Sequence, residues 1–137
     1  MPRATRYRRE VPVLLAIAAG GILGALGRYA LASSNGTVFP WHTFAVNVSG
    51  CLAIGVLLVV ITEARSVHRL ARPFLGTGVL GGFTTFSTYA VETERLLSGH
   101  PMVAMAYLFG TALAALLAVQ TGVVVTRRLM LPRREER

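Results

Sequence analysis

The charged residues of this chain are confined to short stretches that separate long apolar segments. Of its 137 residues, 53% are hydrophobic and 15% are charged. The apolar segments approach or exceed the roughly 20 residues that a helix needs to cross the hydrocarbon core of a bilayer. Because backbone polar groups in hydrocarbon must be paired within the protein, such segments are expected to be helical. The pattern therefore predicts an all-α integral membrane protein.

Four transmembrane helices are predicted, and short connections leave no room for a soluble domain. A basic N-terminus over residues 1–10 and a charged tail over residues 129–137 flank one transmembrane domain over residues 11–128. The spans are predicted at about 11–32, 43–61, 73–97 and 102–126. The first segment also resembles a signal peptide ending at Ala30-Leu31-Ala32. Its full length and Arg28 just before the supposed cleavage site favour a retained helix.

The third predicted span contains a stretch in which a regular helix is expected to fail. From Gly76 to Glu94 it reads GTGVLGGFTTFSTYAVETE, so glycines are followed by a run of hydroxyl-bearing residues. Glycine loosens the backbone, and side-chain hydroxyls compete for backbone hydrogen bonds. Broken backbone at bilayer depth is tolerated only where it is buried in protein or lines a polar cavity. We therefore predict a break near the bilayer centre with an ion or substrate site beside it.

Small residues recur every four positions in the other spans, which predicts close helix packing. Asn47 lies on one of these stripes, and its amide is costly to bury alone in lipid. It is expected to face either a pore or a neighbouring helix. Arg28 extends another stripe. Its guanidinium either extends to the membrane interface, or lies at a pore vestibule or forms an interhelical hydrogen bond. The stripes are Ala16-Gly20-Gly24, Asn47-Cys51-Gly55 and Gly110-Ala114-Ala118-Gly122.

All 14 basic residues are arginines, and they are distributed unevenly between the two sides of the membrane. Twelve lie at the N-terminus, in the second loop or at the C-terminal end, whereas the opposite side has Arg95 alone. The positive-inside rule then predicts a multi-pass protein of the cell membrane with both termini in the cytoplasm. Because these arginines flank apolar runs, we expect the lipid bilayer as a partner and no nucleic acid.

Three functional classes are compatible with four small membrane helices: an ion channel, a multidrug/proton antiporter and a non-transporting membrane scaffold. A multidrug/proton antiporter needs an acidic residue deep in the membrane, but all six glutamates lie at or near span ends, where Glu92 and Glu94 can be solvated. A membrane scaffold gives no reason for Asn47 or the hydroxyl run. Nothing resembles an acyl, phosphoryl or redox site, so an enzyme is not predicted. The histidines are scattered over loops, and the single Cys51 has no partner for a zinc site.

Three motifs of the chain are distinctive: GGILGALGRY at 20–29, TFAVNVSGCLAIG at 43–55 and GGFTTFSTY at 81–89. They closely resemble those of the Fluc (CrcB) family of fluoride-specific ion channels. The resemblance implies an antiparallel, dual-topology-type dimer of four-helix subunits with two fluoride pores. It also implies a structural sodium ion, Na+, at the dimer centre. The implied function is passive, electrochemically driven export that lowers cytoplasmic fluoride.

The resemblance assigns roles to residues that match the family's motifs. The sodium ion would be held by backbone carbonyls of Gly81 and Thr84 from both subunits, and Arg28 would lie in the vestibule. The fluoride pore would be lined by Asn47, Phe86, Ser87, Thr88 and Tyr89. Tyr89 departs from the family's usual second phenylalanine, and His42 stands where a small residue is more usual. Neutral N–H and O–H donors suit such a pore, because they bind the anion without trapping it.

The charge bias bears on the dimer. An antiparallel homodimer requires one chain to insert in both orientations, and the uneven arginines oppose this. Tyr89 also suggests two unequal aromatic tracks. We therefore expect an obligate heterodimer with a second Fluc-type subunit of opposite bias. The alternative is that the arginines of the two tails overstate the bias and that the chain forms a homodimer.

Overall fold

A computed structural model of the protein describes residues 3–32, 37–63 and 68–130, with side chains from Glu10 onward. Every regular element within these ranges is a helix, which confirms the all-α prediction. The helices are α1 (Arg3–Ala30), α2 (Trp41–Glu63), a π-helix (Arg72–Leu80), α3 (Gly81–Phe83), α4 (Phe86–Gly99) and α5 (Pro101–Met130).

Three helices in the described ranges are long and apolar enough to cross a membrane. They are Glu10–Ala30 within α1, then α2, then α5. The third predicted span is divided among the π-helix, α3 and α4, each shorter than a bilayer crossing. The long helices support a multi-pass membrane protein, and four helical passes fit this arrangement.

Several element boundaries differ from the sequence-based ones. Helix α1 already begins at Arg3, within the predicted polar N-terminus, and α5 continues to Met130, within the predicted tail. Basic residues at both ends are thus helical. Of the charged tail over 129–137, the part after Met130 lies outside the described residues, as does Arg65 of the second loop.

Two residues interrupt the helical path in the Gly- and Thr-rich stretch. Thr84 has ψ of 157° and Thr85 has φ of −145° and ψ of 122°, so both are extended. Before α3, which leads into these residues, the chain is wound as a π-helix over nine residues, which the sequence pattern did not predict. The depth of this interruption in a bilayer and the topology of a dimer stay predictions.

Glycines bring the helices into close contact at two seams. At the seam of α1 with the π-helix, a Cβ added to Gly24 would overlap the carbonyl oxygen of Val79. At the seam of α2 with α5, a Cβ on Gly122 would lie 2.5 Å from the Leu52 carbonyl oxygen. Gly110 differs, because a Cβ there would meet nothing within 4 Å. The predicted stripe on α5 is therefore open at Gly110 and closely packed at Gly122.

The most buried side chains of the described region lie where α4 packs against α5. Tyr107 and Ala104 have no exposed surface, and Tyr89 and Leu96 pack beside them. Only His100 separates these helices, which holds α4 antiparallel to the start of α5. This packing positions the residues that follow the interruption.

Candidate functional site

The side-chain amide of Asn47 on α2 closes a reciprocal pair of hydrogen bonds with the backbone of Thr85. The Thr85 N–H donates to Asn47 Oδ1 at 2.8 Å, and Asn47 Nδ2 donates to the Thr85 carbonyl at 2.9 Å. In a continuous helix the Thr85 N–H would donate to the Gly81 carbonyl instead. Asn47 therefore stabilises the interruption and retains one amide hydrogen with no partner among the described residues.

Arg28 on α1 binds the helix end that precedes the interruption. Its Nε donates to the Gly82 carbonyl at 3.3 Å, and this carbonyl has lost the helical donor that Phe86 would supply. A cation near the end of a helix is also favoured by the helix dipole. This contact realises the interhelical hydrogen bond that was one of the alternatives for Arg28.

The carbonyls predicted to hold sodium have the chemistry that such a role requires. The Gly81 carbonyl has lost its helical donor, since the Thr85 N–H bonds Asn47. The Thr84 carbonyl has lost its own, because the Thr88 N–H donates to Thr85 Oγ1 at 3.2 Å. Gly81 is also exposed on the surface of the single chain. Hard carbonyl oxygens in this state fit a hard cation, and the sodium assignment stays a prediction.

A cavity of about 260 Å³ lies beside the interruption, between α2, α4 and α5. Thr111 lies in its wall, and the Thr111 hydroxyl is buried with no hydrogen-bond partner among the described residues. A buried hydroxyl without a partner carries an energetic penalty. The cavity lining comprises Asn47, Cys51, Thr84, Thr85, Phe86, Tyr89, Thr111, Ala112 and Ala115.

Two aromatic rings of this lining have opposite environments. Phe86 is 79% exposed on the single chain, whereas Tyr89 is 8% exposed. Their centroids are 5.9 Å apart, with planes tilted by 55°. The Tyr89 hydroxyl donates to the Leu108 carbonyl, so its proton is already used. Tyr89 therefore presents its ring to the cavity, and the hydroxyl donor considered from the sequence is not free.

A second cavity, of about 350 Å³, lies on the other side of Thr85. It is more polar, with Arg28, His42, Thr88 and Glu92 in its wall. The Glu92 carboxylate accepts hydrogen bonds from the hydroxyls of Thr43 at 2.9 Å and Tyr107 at 2.7 Å. Glu92 is thus anchored to buried groups on α2 and α5, although its position at a span end suggested a solvated residue.

The structure divides the predicted pore residues between these two cavities. Asn47, Phe86 and Tyr89 line the first, whereas Thr88 lines the second together with Arg28, which was predicted for the vestibule. Ser87 is exposed, with its hydroxyl 3.4 Å from Thr85 Oγ1. Thr85 lies in the wall of both cavities, so it separates them. Whether an ion follows this route stays a prediction.

Sequence reasoning did not assign a role to Thr111, Thr43, Tyr107 or Thr85. Thr111 lies in an apolar helix, where a threonine usually bonds its own backbone, and only its missing partner sets it apart. Thr43 and Tyr107 contact Glu92 from positions 49 and 15 residues away. The one sequence signal available for Thr111 was its position directly after Gly110, at the start of the small-residue stripe of α5.

Long apolar helices around an interrupted, polar-lined centre define a polytopic α-helical membrane protein of the transporter or channel class. Residues 15–123 match the profile of the family described as CrcB-like protein, Camphor Resistance (CrcB). The chain belongs to this CrcB family, so the resemblance found in its motifs is confirmed.

Named relatives cover nearly the whole chain. One, 50% identical over 94% of this chain and 86% of its own length, is "Fluoride-specific ion channel FluC 1" of Streptomyces coelicolor. Another, 56% identical over 84% of this chain and 85% of its own length, is "Fluoride-specific ion channel FluC 2" of Nocardia farcinica. A "FluC 2" of Streptomyces avermitilis is 51% identical over 96% of this chain and 86% of its own length. These names describe ion channels, in agreement with the prediction that the chain is not an enzyme.

Proposed function

We propose that this protein is a fluoride-specific ion channel that lowers cytoplasmic fluoride by passive export. The observation that carries the proposal is the cavity beside Thr84 and Thr85. Its wall combines Asn47, whose amide keeps one unpaired hydrogen, with two aromatic rings and Thr111, whose buried hydroxyl has no partner among the described residues. Names of relatives such as "Fluoride-specific ion channel FluC 1" supply the substrate.

The groups around this cavity suit a small, strongly hydrated anion. Neutral N–H and O–H donors replace part of the hydration shell, and the electropositive edge of an aromatic ring adds to them. Among the described residues, Arg28 and His42 are the basic side chains of these linings, and both belong to the second cavity. Weak, repeated binding of this kind permits an ion both to enter and to leave.

No pump is required for export by this route. Hydrogen fluoride crosses membranes as a neutral acid and dissociates in the more alkaline cytoplasm. A membrane potential that is negative inside favours the exit of the anion by about 2.3 kcal/mol per 100 mV. A selective passive pore in the cell membrane is therefore sufficient.

The decisive experiment measures fluoride efflux from liposomes that contain the purified protein. We expect efflux in response to a fluoride gradient and no comparable chloride efflux. Protein-free liposomes provide the background. Equal fluoride and chloride fluxes, or fluoride efflux at the background rate in every subunit combination tested, would refute the proposal.

The structural sodium ion is the second part of the proposal. Gly81 and Thr84 carbonyls from two subunits would surround it, and it would link the subunits instead of being transported. Replacing sodium with a large organic cation, after exhaustive removal of trapped sodium, should reduce fluoride efflux or dimer stability. Unchanged efflux and dimer mass without sodium would remove this ion from the proposal.

The subunit partner is proposed to be a second, different Fluc-type chain. The arginine bias of this chain favours a single orientation, and an antiparallel dimer then needs a partner of opposite bias. Streptomyces avermitilis has relatives named FluC 2 and FluC 3, so two such chains occur in one organism. Robust sodium-dependent efflux from this chain alone would instead establish a homodimer, whereas activity only on co-expression would support the pair.

A further inference from the structure

An apolar groove with one cationic end lies between α2 and the π-helix, remote from the cavities described above. Its volume is about 190 Å³. The α2 wall is formed by Ile54, Leu57, Leu58 and Ile61, and the far wall by Gly76 and Arg72. Because Gly76 has no side chain, the groove remains open beside Leu57.

The polar groups of the groove lie at one end. Thr62 there is already satisfied, since its hydroxyl donates to the carbonyls of Leu58 and Val59 at 2.9 and 3.0 Å. The Arg72 guanidinium is exposed and has no ion pair or hydrogen-bond partner among the described residues. The groove therefore has apolar walls and, at one end, the guanidinium of Arg72, which can donate several hydrogen bonds.

We propose that this groove binds an anionic phospholipid, with one acyl chain between α2 and the π-helix and the phosphate on Arg72. Guanidinium matches phosphate with two parallel hydrogen bonds. Basic pockets between membrane helices on the cytoplasmic side are a recurring site for anionic headgroups. Arg72 starts a membrane-crossing segment on the arginine-rich side, which places its guanidinium at headgroup level. The bound lipid stabilises the contact of the π-helix with α2.

The test measures lipid bound to the purified full-length protein by mass spectrometry of the intact complex. Phosphatidylglycerol and phosphatidylcholine with the same acyl chains are compared. We expect the wild type to prefer phosphatidylglycerol by about fivefold, the contribution of one basic residue near an anionic surface. Arg72→Gln should abolish this preference. Arg69→Gln is the matched control, because Arg69 is exposed on the same side but does not line the groove, and it should retain the preference.

A second variant tests the acyl-chain part of the site. A Cβ at Gly76 would lie 3.7 Å from Leu57 Cδ2, an ordinary contact, so the first side-chain atom of Gly76→Leu fits beside Leu57. The remaining atoms of the leucine are expected to occupy the groove. The substitution should reduce retention of both lipids. Glycerol phosphate, which has the anion without acyl chains, should not raise the thermal midpoint as phosphatidylglycerol does.

Three results would overturn the lipid site. The first is equal retention of the two lipids by the wild type, and the second is the same loss of preference in Arg72→Gln and Arg69→Gln. The third concerns Gly76→Leu: a change in the number of subunits in the assembly, with lipid retention unchanged. That result would assign the groove to a second protein chain. None of these measurements depends on fluoride conduction.

Discussion

Asn47 combines two tasks in one side chain. One N–H and the amide oxygen hold the Thr85 backbone, the second N–H has no partner among the described residues, and Asn47 lies in the wall of the first cavity. A side chain that only accepts hydrogen bonds cannot perform either donation. The same residue thereby links the shape of the interruption to the chemistry of the cavity.

Replacing Asn47 by Asp tests both tasks at once. The ionised carboxylate cannot donate to the Thr85 carbonyl and places negative charge beside the proposed anion path. We expect fluoride efflux to fall at least about tenfold and the free energy of unfolding to fall by about 1–3 kcal/mol. Asn47→Leu should also abolish efflux in a folded dimer. Wild-type efflux and thermal stability in the Asp variant would contradict this assignment.

Thr111 allows function and stability to be separated. Because its buried hydroxyl has no partner, Thr111→Val removes an unsatisfied group at nearly constant volume. The thermal midpoint should stay the same or rise, while fluoride efflux falls. Thr111→Ser, which retains the hydroxyl, is the control and should conduct better than the Val variant. A Val variant with unchanged efflux would exclude Thr111 from the path.

Arg28 can be tested by distinguishing its charge from its hydrogen-bond geometry. If the Nε contact with Gly82 positions the Gly81 and Thr84 carbonyls, Arg28→Lys should weaken the sodium dependence of efflux although the charge is kept. If Arg28 serves only to attract anions, Lys should behave as the wild type and Arg28→Met should merely reduce flux. The sodium concentration for half-maximal efflux separates these outcomes.

The close packing of α1 against the π-helix predicts how glycine substitutions change the stability of the protein. A Cβ at Gly24 would overlap backbone atoms of the π-helix, which cannot rotate away as a side chain would. Gly24→Ala should therefore destabilise the protein by about 1–3 kcal/mol. Gly110→Ala, where nothing lies within 4 Å, should be neutral or stabilising by up to about 1 kcal/mol. Thermal unfolding of the two variants in the same detergent compares them, and equal midpoints would contradict the seam.

The sequence predicted the helices and the region of the interruption because these follow from local composition. Apolar length gives the helices, and Gly81, Gly82 and the following threonines indicate the departure from helix. The π winding over Arg72–Leu80 was not predicted, because it depends on the approach of α1 and has no periodicity of its own in nine residues. The local sequence pattern thus predicts where a helix lies better than it predicts whether that helix is wound as an α-helix or a π-helix.

The contacts that complete the candidate site join residues far apart in the chain. Arg28 meets Gly82 across 54 positions, and Asn47 meets Thr85 across 38. The types of residue needed were evident from the sequence, but their partners were not. Glu92 shows the same limit, since its span-end position suggested solvent while the fold supplies buried hydroxyls from Thr43 and Tyr107.

At the scale of the molecule, the arginine bias predicts a single orientation in the membrane. In a Cys51→Ala background, a cysteine replacing exposed His100 should react with an impermeant maleimide on intact cells. A cysteine replacing exposed His68 should react only after permeabilisation. Neutralising all twelve arginines of the predicted cytoplasmic side should produce labelling at both positions. Equal labelling of the two sites in the parent chain would contradict a fixed orientation.

Thr85 has no hydrogen-bond donor left for a passing anion. Its N–H and carbonyl bond Asn47, and its hydroxyl donates to Thr88 Oγ1 while accepting from the Thr88 N–H. For an ion that moves from one cavity to the other, the two spaces behave as small resistances in series with one large resistance at Thr85. The voltage across the membrane would then fall mainly over this one residue, and single-channel conductance would respond to the volume of its side chain far more than to substitutions deeper in either cavity.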